Sequence, residues 1–225
     1  MRDLKRFWRY YRHPAQRWIR EMRDVLRDVP TDDATIVDAP CGDGSISFWL
    51  IKYGIGKQFE LYDISEHSIN VARRMHDWGG AKDLDLTIEV SDVHDVPVNG
   101  HANDVWLLIN SLYLLPDIDR LVDRMRDRAK TIIAVFPNVA SKNYQKFISQ
   151  IPDMNINEMS VDDTIAFFAK HGYKLDDKRD MDCIPLNYFK SKYTKLSACY
   201  ILNLFERVLP GKEKCYWIAR FSREE

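Results

Sequence analysis

The stretch Ala34–Leu50, ATIVDAPCGDGSISFWL, decides how the rest of the chain is read. An apolar run, Thr35–Val37, ends in an acid, Asp38. The turn Pro40-Cys41-Gly42-Asp43-Gly44 follows, and an apolar helix-like stretch begins at Ser45. A strand, a glycine loop and a helix start bring backbone N–H groups to one point. Such a point suits a ligand that approaches backbone closely and presents negative charge to the helix.

A dinucleotide loop requires G-x-G-x-x-G with an acid about 20 residues further on. Gly42 and Gly44 supply the first two glycines, but Ser47 stands at the third. A phosphate-binding P-loop fails sooner, because no Gly-Lys-Ser/Thr follows.

Outward from this stretch, strand and helix signals alternate. Ser45–Tyr53 reads as a helix closed near Gly54 and Gly56, and Phe59–Tyr62 as a strand ending at Asp63. Glu66–Trp78 has helical spacing behind a Ser65 cap. Leu84–Val90 alternates as a third strand. Asp104–Ile109 is continuously apolar, the pattern of a strand covered on both faces. Asp117–Ala129 is helical and Thr131–Phe136 is a fifth strand. Helices over Ser141–Ile151 and Ser160–His171 and strands over Tyr173–Met181 and Lys214–Phe221 complete the series. Ile165, Phe168 and Ala169 are the expected inward face of the later helix. This alternation predicts an α/β fold, a doubly wound, mostly parallel seven-stranded sheet with helices on both faces. Ligands of such sheets sit at the carboxyl ends of the strands. Asp38, Asp63, Asp92 and Asn110 all fall there.

The 225 residues are expected to form a single domain, with residues 34–136 as the cofactor-binding core and 183–212 as a substrate-side insertion. Residues 1–30 are expected to form N-terminal helices, basic and aromatic, that either pack on the domain edge or act as a lid. Tyr11 and His13 there are candidate substrate contacts. A peripheral membrane contact by this basic face stays open. The formal net charge of −1 points to no polyanionic partner. Four cysteines without a CxxC pair argue against zinc and against a disulfide framework, and reduced thiols place the chain in the cytoplasm. No apolar run reaches the ~20 residues that span a bilayer.

On its motifs the chain resembles the class I S-adenosylmethionine-dependent methyltransferase family. The family's first motif stands here as Val37-Asp38-Ala39-Pro40-Cys41-Gly42-Asp43-Gly44, with Pro40 where the family usually has its first glycine. Asp63 and Ile64, in LYDIS, match the segment ending strand two, whose acid in the family holds the ribose hydroxyls. Asp92 and Val93, in VSDVHDVP, match the pair that reads adenine. The segment from Asn110 to Asp117, NSLYLLPD, looks like the one after strand four. The resemblance implies S-adenosylmethionine as cofactor, held by Asp38, Pro40, Cys41, Gly42, Gly44, Asp63, Ile64, Asp92, Val93 and Asn110. It places His94 and Tyr113 near the mouth, as a base or as substrate contacts. Nucleic-acid amino-methyltransferases of this fold carry Asp/Asn-Pro-Pro-aromatic where this chain has Asn110-Ser111-Leu112-Tyr113, which disfavours that substrate class. The expected reaction is methyl transfer to an oxygen or nitrogen of a small molecule, a lipid or sugar precursor being one such class. A nicotinamide-dependent oxidoreductase and a non-catalytic cofactor-binding or protein-interaction domain are the rivals. Oligomeric state is not legible.

Overall fold

The computed structural model describes residues 14–79, 84–98, 104–142, 144–145, 149, 157–183 and 213–224. Tyr11, His13, the first part of the expected N-terminal helices, much of the expected Ser141–Ile151 helix and most of the Cys183–Lys212 insertion lie outside them.

Seven strands form one sheet: β1 (Thr35–Asp38), β2 (Gln58–Asp63), β3 (Asp85–Val90), β4 (Asp104–Ile109), β5 (Ala129–Pro137), β6 (Tyr173–Cys183) and β7 (Glu213–Arg223). Their order is β3-β2-β1-β4-β5-β7-β6. The pairs among β1 to β5 are parallel. Strand β7 is antiparallel to both neighbours, so the last strand in the chain inserts between β5 and β6. Its sequence periodicity resembles that of the other strands, because alternation reports a buried face and not a direction.

Helices among the described residues include α1 (Pro14–Leu26), α2 (Ser45–Lys52), α3 (Glu66–Gly79), α4 (Ile118–Met125) and α5 (Val161–Lys170). Alternate residues of β4 feed two cores. Val105 and Leu107 join α1 and Leu50 of α2 on one face. Trp106 and Leu108 join Leu121, Val122 and Met125 of α4 and Phe168 of α5 on the other. In α5 the buried face is Thr164 and Phe168, while Ala169 is exposed, one position away from where spacing put it. Helix α1 lays Ile19, Met22, Val25 and Leu26 into the core. Arg220 donates to the Val25 carbonyl at 2.9 Å and fastens this helix to β7. Among the described residues no helix is long and apolar enough to cross a membrane.

At the amino end of the sheet, Arg128 is almost fully buried. It donates to Asp104, to Glu60 at 2.8 Å and to the Pro97 carbonyl at 2.6 Å. Asp104 also accepts the Thr35 N–H at 3.1 Å. This network ties the starts of β1, β4 and β5 together and leaves the opposite, carboxyl edge for the candidate site.

Candidate functional site

Strand β1 delivers Asp38 to the carboxyl edge, where it is 2% exposed. Ser47, early in α2, donates its hydroxyl to Asp38 Oδ2 at 2.6 Å. Burial pushes the Asp38 carboxyl up to about 7. The Ser47 bond works against that rise, and Asp43 and Asp63 add to it.

The neighbouring strand end delivers Asp63. Its Oδ2 accepts the Gly42 N–H at 2.7 Å and its Oδ1 the Ser65 N–H at 2.9 Å. The Cys41 N–H donates to the Tyr62 carbonyl at 2.8 Å. The glycine loop after β1 is thereby clamped to the end of β2. The Ala39–Pro40 peptide in this loop is cis. Burial pushes the Cys41 thiol up, and its S–H lies 3.4 Å from the Gly42 carbonyl, so Cys41 packs as a neutral thiol.

The two glycines differ. Both hold positive φ, +55° at Gly42 and +68° at Gly44. A Cβ on Gly44 would stand 3.0 Å from Ala72 Cβ and Leu61 Cδ2, so this glycine lets α3 close on the loop. A Cβ on Gly42 would meet nothing within 4 Å, so this glycine faces open space. Below them His76 is buried edge-on to Phe48, and burial pulls its imidazole down to about 4.

Asp92 caps a 3-10 turn, Val93–Asp95, by accepting the His94 N–H at 2.9 Å. Val93 is buried. His94 Nε2 lies 3.0 Å from the Pro116 carbonyl. A carbonyl only accepts, so Nε2 carries the proton and Nδ1 keeps the lone pair. That Nδ1 is buried without a hydrogen-bond partner among the described residues. Ile64 is 70% exposed beside Asp63, an apolar surface on a polar rim.

Asn110 directly follows β4, with φ +57°, and donates its N–H to the Val135 carbonyl at 2.9 Å. Its Oδ1 and the Ser111 hydroxyl are buried and unpaired among the described residues. Tyr113 follows in a second 3-10 turn, Leu112–Leu114, edge-on to Tyr144 at 6.3 Å. Burial pushes the Tyr113 phenol up, so it offers a hydroxyl and not a phenolate.

The structure therefore brings Asp38, Cys41, Gly42, Gly44 and Asp63 into one bonded unit. Asp92, Val93, His94, Asn110 and Tyr113 lie along the same edge in the turns after β3 and β4. Sequence reasoning missed Ser47 as the partner of Asp38, and it missed Tyr144 and Asn157 beside Tyr113. Ser47 carried a signal, a polar residue on the inner side of an apolar helix start. Tyr144 and Asn157 carried none, because their proximity to β4 arises only from tertiary packing. Among the described residues no cluster of three or more His, Cys, Asp or Glu is arranged to hold a metal.

The model of a family described as a methyltransferase domain matches residues 30–167. O-methyltransferase 3 of Dictyostelium discoideum is 24% identical over 166 residues, which are 72% of this chain and 34% of that protein. The chain thus spans about a third of the length of that curated relative. Among solved structures, the fold resembles magnesium protoporphyrin IX methyltransferase from Synechocystis PCC 6803 with bound SAH. That match has a TM-score of 0.65 at 16% identity and covers 93% of this chain and 83% of that one. It also resembles geranyl diphosphate C-methyltransferase from Streptomyces coelicolor A3(2), with a TM-score of 0.65 at 15% identity, covering 91% and 77%.

Proposed function

Because this chain belongs to the class I S-adenosylmethionine-dependent methyltransferase family, we propose that it transfers the methyl group of that donor to an oxygen or nitrogen of a small molecule, a lipid or sugar precursor being one such class. The observation that carries the reading is the clamp of Asp63 on Gly42, with Asp38 beneath it and Asp92 along the same edge.

The residues present fit the methyl donor. A carboxylate has about four lone-pair sites, and the two backbone bonds to Asp63 leave capacity for a ribose diol. The open space before Gly42 admits the methionyl end close to backbone. The exposed Ile64 and the buried Val93 suit the faces of an adenine ring, with Asp92 to accept from its amino group. Asn110 Oδ1, buried and unpaired among the described residues, is one polar atom such a ligand would satisfy.

The bound donor supplies a methyl group already activated on a sulfonium. The chain's task is then to hold the acceptor in line and exclude water. With the donor bound, its sulfonium would give the methyl carbon to the acceptor's lone pair and keep the electron pair of the broken C–S bond. His94, in the turn after β3, is our candidate to take the acceptor's proton where one must be lost. The O-methyltransferase of Dictyostelium discoideum favours an oxygen acceptor.

Under this reading residues 1–225 form a single domain, and residues 1–30 and 183–212 wall the substrate side, with Tyr11 and His13 among the substrate contacts. The protein works in the cytoplasm with reduced thiols and without nucleic acid as substrate. Titration calorimetry with S-adenosylmethionine and NAD tests the assignment. Saturable binding of the first alone is expected. Binding of NAD and not the methyl donor would overturn it.

A further inference from the structure

Both ring nitrogens of His76 are buried without a hydrogen-bond partner among the described residues. The side chain sits on α3, 2% exposed, one turn beyond Ala72 and on the same face of that helix. Burial keeps the ring neutral at ordinary pH. A neutral imidazole offers one N–H and one lone pair. Burying both unused is unfavourable, and a leucine of similar size would fill the space without that cost. A buried polar group kept on such terms calls for a role that the unliganded fold does not display.

The neighbours of the ring point to the glycine loop. A Cβ on Gly44 would stand 3.6 Å from His76 Nε2, so this nitrogen faces that glycine. Against the larger effect of burial, the Gly44 backbone favours the protonated ring, as a carbonyl aimed at it does, and Asp77 adds to this. The Gly44 carbonyl accepts the Phe48 N–H at 3.0 Å, the first bond of α2, and keeps a second lone pair. Phe48 meets the imidazole edge-on, with centroids 5.6 Å apart, and fixes its plane. On the β2 side the loop is clamped by the Gly42–Asp63 and Cys41–Tyr62 bonds. On the α3 side it packs on Ala72, and among the described residues no hydrogen bond joins it to that helix.

We infer that His76 is a positioning residue for the glycine loop, and that its Nε2–H closes on the free lone pair of the Gly44 carbonyl when the methyl donor seats on the loop. This rests on the methyltransferase reading and adds a residue that does not itself touch the donor. A ligand on the open side of Gly42 presses the loop towards α3, the side on which it is not fixed. The bond belongs to the liganded state, so it strengthens donor binding and leaves the unliganded fold no more stable.

The test uses the full chain, labelled with 15N-histidine and followed by NMR with and without S-adenosylhomocysteine. One ring N–H resonance is expected to move downfield on binding and to be missing from both His76→Leu and His76→Gln. Thermal melts and calorimetry with S-adenosylmethionine complete it. His76→Leu is expected to melt no lower than the native chain, yet to bind S-adenosylmethionine about three- to tenfold more weakly, the range of one neutral hydrogen bond. His76→Gln keeps an N–H donor and is expected to hold affinity within about twofold of native. A merely structural role would lower stability and affinity together in both variants. If His76→Leu does not fold, the resonance and the affinity of His76→Gln decide. A His76 resonance that S-adenosylhomocysteine leaves in place, native affinity in His76→Leu, or equal loss in both variants overturns the inference. Those results with S-adenosylmethionine bound by the unmodified chain leave the methyltransferase reading standing. No binding of S-adenosylmethionine by the unmodified chain overturns both.

Discussion

The Ser47 hydroxyl lies 2.6 Å from Asp38 Oδ2, and both side chains are almost wholly buried. The residue that breaks the dinucleotide pattern is thus the one that holds the acid at the end of β1. A glycine at that position would pack α2 against the strand but leave Asp38 without its donor. Ser47→Ala is expected to lower stability by about 1.5–3 kcal/mol, the worth of a hydrogen bond to a charged group. It should also send the Asp38 carboxyl further up, since this bond is what pulls it down. Urea unfolding measures the first effect and carboxyl NMR titration the second. An unchanged urea midpoint would show that the bond contributes nothing net.

Asp38 also sets a pH dependence. Its folded value of about 7 lies above the ordinary 3.8. Between those values the folded chain keeps a proton that the unfolded chain has released. Stability from this group is complete below about pH 4 and is lost as pH rises through 7, by roughly 4 kcal/mol for three pKa units. His76, pulled down to about 4, acts oppositely and loses its contribution as pH falls. Asp38→Asn should therefore be more stable than the native chain at pH 8, and the fall between pH 4 and 7 should flatten. Denaturation midpoints across that range decide it, and an unaltered slope counts against the assignment.

The two loop glycines should separate by phenotype. Gly44→Ala forces a Cβ to 3.0 Å from Ala72 and Leu61 at positive φ. It should cost about 1–3 kcal/mol of stability, from left-handed strain and overpacking. Gly42→Ala meets no neighbour, so its cost should be limited to about 1–2 kcal/mol of left-handed strain. Because its methyl enters the space before the loop, it should weaken S-adenosylmethionine at least tenfold. Thermal melts and calorimetry on both variants check the split. Equal cofactor loss in both would mean that the open side of the loop is not where the ligand enters.

Asp63→Ala removes the acceptor of both the Gly42 and Ser65 amides. Each charge-assisted bond is worth about 1.5–3 kcal/mol, so the loop should detach from β2. S-adenosylmethionine affinity should fall well over tenfold. Asp63→Asn keeps one acceptor oxygen and should fall between. Native affinity in Asp63→Ala would remove this carboxylate from the site.

At the far edge, Asp104→Ala removes the buried carboxylate partner of Arg128, leaving it Glu60 and the Pro97 carbonyl, and orphans the Thr35 N–H. Breaking a buried ion pair by removing one partner costs up to about 3–5 kcal/mol, and the ion pair with Glu60 that remains sets the expected loss towards the lower end. Urea unfolding should show that loss. Binding by whatever fraction stays folded should be unchanged, because the network lies at the opposite end of the strands from Asp38 and Asp63.

The sequence alone determined the alternation of strands and helices, the two-sided burial of β4 and the acids at strand ends. These are local facts: a period of two or 3.6, a glycine at a turn and an acid after an apolar run. They sufficed for the parallel part of the sheet and for the edge on which Asp38, Asp63, Asp92 and Asn110 gather. Only the tertiary structure decided that β7 runs antiparallel between β5 and β6, because burial periodicity carries no direction. It alone showed that Asp63 spends its carboxylate on the Gly42 amide 21 residues back. It alone put Asn157 against the turn of Tyr113, and the burial that lifts Asp38 to about 7 is likewise invisible in a linear string. Those facts depend on which distant backbone groups meet and on how much water they exclude, and no local pattern encodes either.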